Sequence, residues 1–214
     1  MCWNEHISLN TFLFSSFVLL LITYNNLFTK YKIREFNNPF VYLMFASFIF
    51  MQLIEFFIWR NINNKFYNNI FSIMAILLLL LQPIASIMML SNIQLRNILL
   101  FLYLLLAIPF SIYKFSTKHI HSVVSKSGHL VWNFFEANPV ISITWLFFAI
   151  FSFIYEKKWV GTMFAIVALI IAFINYNNDN TVWSMWCWIV NSVMIYYAIY
   201  LLIYLPFLEK SNIC

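Results

Sequence analysis

Phe66–Leu95, FYNNIFSIMAILLLLLQPIASIMMLSNIQL, runs for thirty residues without a charged side chain. A helix rises about 1.5 Å per residue and a bilayer's hydrocarbon core is about 30 Å thick, so about 20 apolar residues cross it. Six more charge-free stretches follow the same pattern: Ile7–Thr29, Phe36–Ile54, Asn97–Tyr113, Ala137–Tyr155, Trp159–Asn178 and Asn180–Leu208. The chain therefore reads as an all-α polytopic membrane protein, seven transmembrane helices in one bundle, with residues 1–214 as a single domain. The expected helices cover about 7–28, 39–59, 70–90, 98–113, 139–155, 160–174 and 182–205.

Composition agrees. Hydrophobic residues make up 64% of the chain and charged residues 9%, against about 45–50% and 25% in soluble domains. The formal charge is +5, but the twelve Lys and Arg residues sit singly or in pairs at the ends of apolar runs. That placement suits lipid headgroups and argues against nucleic acid as a partner. The first helix is expected to be retained, since Glu5 stands where a signal peptide would be basic. Three scattered cysteines, Cys2, Cys187 and Cys214, make neither a disulfide framework nor a paired zinc motif. The abundant loop asparagines are read as compositional bias with little functional weight, and the oligomeric state is left open.

Prolines punctuate the layout. Pro39 and Pro139 open helices 2 and 5, where a first-turn proline costs nothing. Pro83, inside helix 3, predicts a kink and a backbone carbonyl released from its helical bond. Pro206 is expected to close helix 7. Lys114–Asn138 reads as the one long polar connection. Only two glycines occur, Gly128 and Gly161, which excludes GxxxG crossings.

Seven spans place the termini on opposite faces, and parity gathers the chemically versatile residues on the N-terminal one. Cys2, Trp3, Glu5 and His6 lie in the tail; Gln52 and Glu55 sit near the end of helix 2; His119, His121, His129, Trp132, Asn133 and Glu136 fall after helix 4. Asp179 follows helix 6, and Trp183, Trp186, Cys187 and Asn191 form a stripe down helix 7. Of twelve basic residues, Lys30, Lys32, Arg34, Arg96, Lys157, Lys158 and Lys210 fall on the opposite face, leaving five on this one. That bias predicts an external or lumenal N-terminus and a cytoplasmic C-terminus.

Glu55 is the acidic residue placed within a span, where a charge costs about 2.5–3.5 kcal/mol at mid-membrane. Two readings stay open: a proton-, cation- or metal-handling carboxylate, or a surface residue solvated or paired with Arg60. Cys2, His129, Glu55 and Cys187 are candidate metal ligands by donor type, though HExxH and paired CxxC spacings are absent. Cys2 and Cys187 are also expected to lie close together. Gln82 beside Pro83 suggests a mid-membrane polar spot for a ligand or a helix-to-helix hydrogen bond. Trp159 suits an interfacial anchor, whereas Trp183, Trp186 and Trp188 cannot all face lipid.

Met1-Cys2-Trp3, Glu55, Gln82-Pro83, His129-x-x-Trp132 and Trp186-Cys187 after an Asn/Asp-rich loop, in this order, resemble an uncharacterised family of multi-span membrane proteins that begin Met-Cys-Trp, found in bacteria and large DNA viruses. Asn4 departs from the serine usual in that family, and Asn133 from its common aspartate. The resemblance implies no known activity; it points to the same polar cluster. Retinal is excluded as a cofactor because helix 7 has no lysine for a Schiff base, and the last-helix HxxxH pair of membrane zinc hydrolases is missing. Asp-Arg-Tyr and Asn-Pro-x-x-Tyr receptor motifs are missing too. The leading expectation is a polar pocket opening on the N-terminal face that binds or moves a small ligand, proton or ion, with Cys2, Trp3, Glu55, Gln82, His129, Trp132, Trp186 and Cys187 as ligand-binding candidates. A membrane-embedded metal or thiol enzyme and a structural or partner-binding protein are the alternatives.

Overall fold

Asparagine opens each of the first four helices. In the computed structural model, which describes residues 4–30, 32–116, 120–135 and 139–211, Asn4, Asn38, Asn64 and Asn92 accept from Ile7, Phe40, Phe66 and Leu95 backbone N–H groups at 2.9–3.2 Å. Each side chain satisfies a donor that a helix start leaves unpaired. The helices so begun are α1 (Glu5–Phe28), α2 (Pro39–Arg60), α3 (Lys65–Met88) and α4 (Ile93–Ser116). Capping thus starts α3 and α4 five residues earlier than the expected 70 and 98.

α5 (Pro139–Tyr155) and α6 (Trp159–Tyr176) follow, and a last rod is built from α7 (Val182–Val190), α8 (Val193–Ile199), a π-helical turn (Tyr200–Tyr204) and α9 (Leu205–Ser211). Six helical rods are long and apolar enough to cross a membrane, and Val140–Tyr155 is a shorter apolar helix. The chain is a helical membrane protein. α2 and α3 bury half or more of their spans while α1, α4 and α6 bury less than a quarter, so α2 and α3 form the centre.

Contacts at the helix ends show the rods alternating in direction. At one end Glu5 of α1 meets Arg60 of α2, and at the other Asn38 of α2 donates to the Met89 carbonyl after α3. There too the Ser91 N–H and hydroxyl bind Glu156, just beyond α5. Gly161 lets α6 approach α5, because a Cβ there would fall 2.9 Å from the Phe153 ring.

Two prolines behave differently from each other. Pro206 does not end the last rod: the π turn at Tyr200–Tyr204 widens the winding just ahead of it, and the helix continues to Ser211. Pro83 cannot donate to the Leu79 carbonyl, and that oxygen accepts from Trp145 Nε1 of α5 at 2.8 Å. Next to it, Tyr103 of α4 donates to the Leu80 carbonyl at 2.8 Å. The proline that disturbs α3 thereby creates the docking points for its two neighbours.

The polar connection after α4 contains an antiparallel hairpin, β1 (Ser122–Val124) and β2 (Leu130–Trp132), with Ser122 opposite Trp132. Its turn closes through Gly128, at φ +82°. Leu130, Trp132 and Phe134 are buried, so the hairpin packs into the end of the bundle. Its backbone groups are held by side chains: Asn68 bonds both the N–H and carbonyl of Ser122 at 2.9 and 3.0 Å, Asn69 bonds the Ile120 carbonyl, and Ser184 of α7 the Leu130 carbonyl. Non-helical backbone at such a depth requires partners of this kind.

Candidate functional site

The hairpin covers the end of the bundle where α1 begins, and the buried polar groups lie beneath it. Glu55 and Gln52 share one side of α2 at i and i−3, and both are fully buried. Glu55 is five residues, about 7.5 Å, from the end of α2. Arg60 directs its guanidinium to Glu5, with Nε 3.6 Å from the carboxylate, in a half-exposed pair. The reading of Glu55 as a surface residue solvated or paired with Arg60 is therefore replaced by one of a buried carboxylate inside the bundle.

α7 supplies the facing wall. Cys187 is fully buried and lies within electrostatic reach of Glu55. One turn deeper, Asn191 donates to the Cys187 carbonyl at 2.8 Å and to the Phe48 carbonyl of α2 at 3.4 Å, which ties the two helices together beside Gln52. From α1, Ser8 and Ser15 are buried at the same levels, given the register that Glu5 and Arg60 set. Thr11 between them accepts from Trp188 Nε1 of α7 at 3.0 Å.

Neither amide atom of Gln52, nor the hydroxyls of Ser8 and Ser15, has a hydrogen-bond partner among the described residues. Such an orphaned buried group costs about 1–3 kcal/mol, so each marks a place that favours a polar partner.

The other sequence candidates fall in three places. Trp186 is buried and structural: its Nε1 donates to the Ala165 carbonyl of α6 at 3.0 Å, and its ring packs edge-on against Phe48, Trp145 and Trp183. This satisfies the expectation that one of the three α7 tryptophans turns inward; Trp159 is exposed, as an anchor should be. His129 and Trp132 belong to the hairpin. His129 stands edge-on to Tyr176 at the end of α6, 5.3 Å between centroids. Burial lowers its pKa and the nearby Asp179 opposes that shift, so the ring is biased toward the neutral form. His121 meets the Asn133 amide at 3.3 Å.

Gln82 lies apart. It is seventeen residues into α3, about 25 Å from that helix's start, and fully buried with neither amide atom hydrogen-bonded among the described residues. The carbonyl released by Pro83, expected to join it in a ligand spot, is instead taken by Trp145. Cys2, Trp3, His119 and Glu136 lie outside the described residues, as does the expected approach of Cys2 to Cys187. Among the described residues no three His, Cys, Asp or Glu side chains gather as metal ligands do, and His129, Glu55 and Cys187 form no such group.

A cleft of about 770 Å³ opens between α5, α6 and the start of α7, lined by Trp132, Ser142, Asn177, Asn180, Trp183 and Ser184 among others. Its lining carries both polar and apolar groups, and it reaches the hairpin but not Glu55. A smaller pocket of about 30 Å³, room for one water, lies deeper between α2, α5, α6 and α7 beside Asn191.

At the opposite end the structure holds a second, partly buried polar cluster that sequence parity left unremarked. Glu35, in a short turn after α1, accepts from the Tyr197 hydroxyl of α8 and from the Val160 N–H of α6. Lys158 donates to the Glu35 carbonyl at 2.7 Å and to Asn37 Oδ1 at 2.6 Å. Burial lowers the Lys158 pKa; Glu35 and Glu156 oppose it. One signal was present, Tyr197 in an apolar span, but its partner lies 162 positions away.

No family model matches the chain, and no curated protein or solved structure is similar to it.

Proposed function

We propose that this protein crosses the membrane seven times and binds a proton or small cation at Glu55. The observation that carries the reading is the fully buried Glu55–Gln52 pair of α2, set against Cys187 of α7, with the Gln52 amide and two α1 serine hydroxyls lacking hydrogen-bond partners among the described residues. A carboxylate at membrane depth is stable when protonated or matched by positive charge. The amide oxygen of Gln52 and the serine oxygens are neutral donors of the kind that replace a small cation's hydration shell. α5, at seventeen residues, stands at the short limit for a span, which supports counting it as a crossing beside the six longer rods. The end that carries this site is the external or lumenal one by the basic-residue bias, and the hairpin lies at that end.

The test is reconstitution in liposomes with a pH-sensitive dye inside and Na+ or K+ gradients imposed. The reading expects cation- or proton-coupled dye signals that Glu55→Gln abolishes and Gln52→Leu weakens, with both variants still folded and inserted. Signals unchanged in Glu55→Gln would remove the carboxylate from the function.

A further inference from the structure

α4 leaves the bundle halfway along its length. Leu99 and Tyr103 are its buried residues, packed with Ile87, Leu90 and Phe148. Beyond Tyr103 no residue up to Ser116 is buried, and Pro109 interrupts the backbone ladder there, where a proline bends a helix. The divergence opens a cleft of about 400 Å³ between α3, α4 and α5, with Ile76, Leu106, Ala107, Phe110, Val140 and Phe148 on its walls.

Three features define what fits. First, the wall asks for no polar partner. Its Tyr103, Thr144 and Trp145 side chains spend their hydrogens on the Leu80, Val140 and Leu79 carbonyls. Second, the length matches one leaflet: the α4 lining runs from Tyr103 to Tyr113, ten residues or about 15 Å, half of a hydrocarbon core about 30 Å thick. The Tyr103 and Phe148 rings, 5.3 Å apart edge-to-face, form its mid-membrane floor. Third, a lysine stands at the mouth. Lys114 follows the lining Tyr113, and its ammonium lies 6.0 Å from the ring centroid of Phe110, itself a wall residue.

We propose that this cleft is a binding site for one acyl chain of an anionic phospholipid from the adjacent leaflet, its headgroup phosphate held at Lys114. The chain fills the wedge that α4 leaves, and the lysine selects for negative charge. The site is separate from the Glu55 cluster.

The protein in phosphatidylcholine nanodiscs is given traces of phosphatidylglycerol or phosphatidylcholine carrying a photoactivatable group at the acyl end; after irradiation, labelled peptides are mapped by mass spectrometry. Phosphatidylglycerol should label the Tyr103–Tyr113 and Val140–Phe148 segments about fivefold more than phosphatidylcholine does, the weight of one lysine at a membrane surface. Ala107→Trp, which fills the cleft, should reduce that labelling to the level of the lipid-facing surfaces of α1 and α6. Lys114→Gln, at the rim, should abolish the difference between the lipids and keeps the test standing if Ala107→Trp fails to fold. Cleft labelling no stronger than on α1 and α6, or unchanged by either substitution, overturns the proposal. Equal labelling by the two lipids in the wild-type protein overturns the anionic headgroup.

Discussion

Replacing Asn68 with Ala should release the hairpin from the bundle while leaving the helices in place. The Asn68 amide donates to the Ile62 and Ser122 carbonyls at 3.1 and 3.0 Å, and its oxygen accepts from the Ser122 N–H and Ser72 hydroxyl at 2.9 and 3.2 Å. Four bonds at about 0.5–1.5 kcal/mol each give roughly 2–6 kcal/mol. The Ser122 backbone pair can regain water if the strand lifts, which caps the loss, so a local cost of about 3 kcal/mol is expected. At 1.4 kcal/mol per factor of ten, that is roughly a hundredfold rise in the opening equilibrium. Hydrogen exchange by mass spectrometry reads it directly: amides across Ser122–Trp132 should exchange about a hundredfold faster in Asn68→Ala, with α2 and α3 amides unchanged. Wild-type exchange rates in the hairpin would refute the claim that side chains of α3 hold it down.

Trp145→Phe should lower stability by about 1–3 kcal/mol, measured by thermal unfolding in detergent, since it strands the Leu79 carbonyl that Pro83 cannot serve; an unchanged midpoint would contradict that role. His129, with its pKa held below the ordinary value of about 6.5 by burial, binds fewer protons folded than unfolded, so stability should fall as pH drops below about 6.5. His129→Gln should flatten that slope, and a slope kept intact would assign it to other groups. Lys158→Met should loosen the start of α6, because the Glu35 carbonyl and Asn37 both lose their donor; faster exchange at Trp159–Thr162 is the expected readout, and protection equal to wild type would argue against the contact.

The membrane fold was legible because span length and charge exclusion leave few alternatives, and parity was enough to bring Glu55 and Cys187 toward each other from positions 132 residues apart. Helix starts were misplaced where the signal was chemical instead of hydropathic: Asn64 and Asn92 start helices ahead of the apolar runs. The hairpin was written in Ser122-Val-Val and Leu130-Val-Trp132 flanking Ser127-Gly128, a strand–turn–strand pattern masked by reading the segment only for polarity. Pro83 announced a vacant carbonyl, but that Trp145 would fill it depends on how α5 packs, which no local pattern contains. The same holds for Glu35 and Tyr197, joined only by tertiary folding.

The Glu55 carboxyl itself gives the most direct test of the site. Infrared difference spectra of the membrane-reconstituted protein, titrated with protons and then with Na+ or K+, follow its C=O band. Subtraction of the same titration in Glu55→Gln isolates that group from the other carboxylates. A band that shifts with pH or cation in the wild type and vanishes in Glu55→Gln, with helix content unchanged, is the predicted result; superimposable titrations of the two proteins would contradict a ligand-binding carboxylate beneath the hairpin.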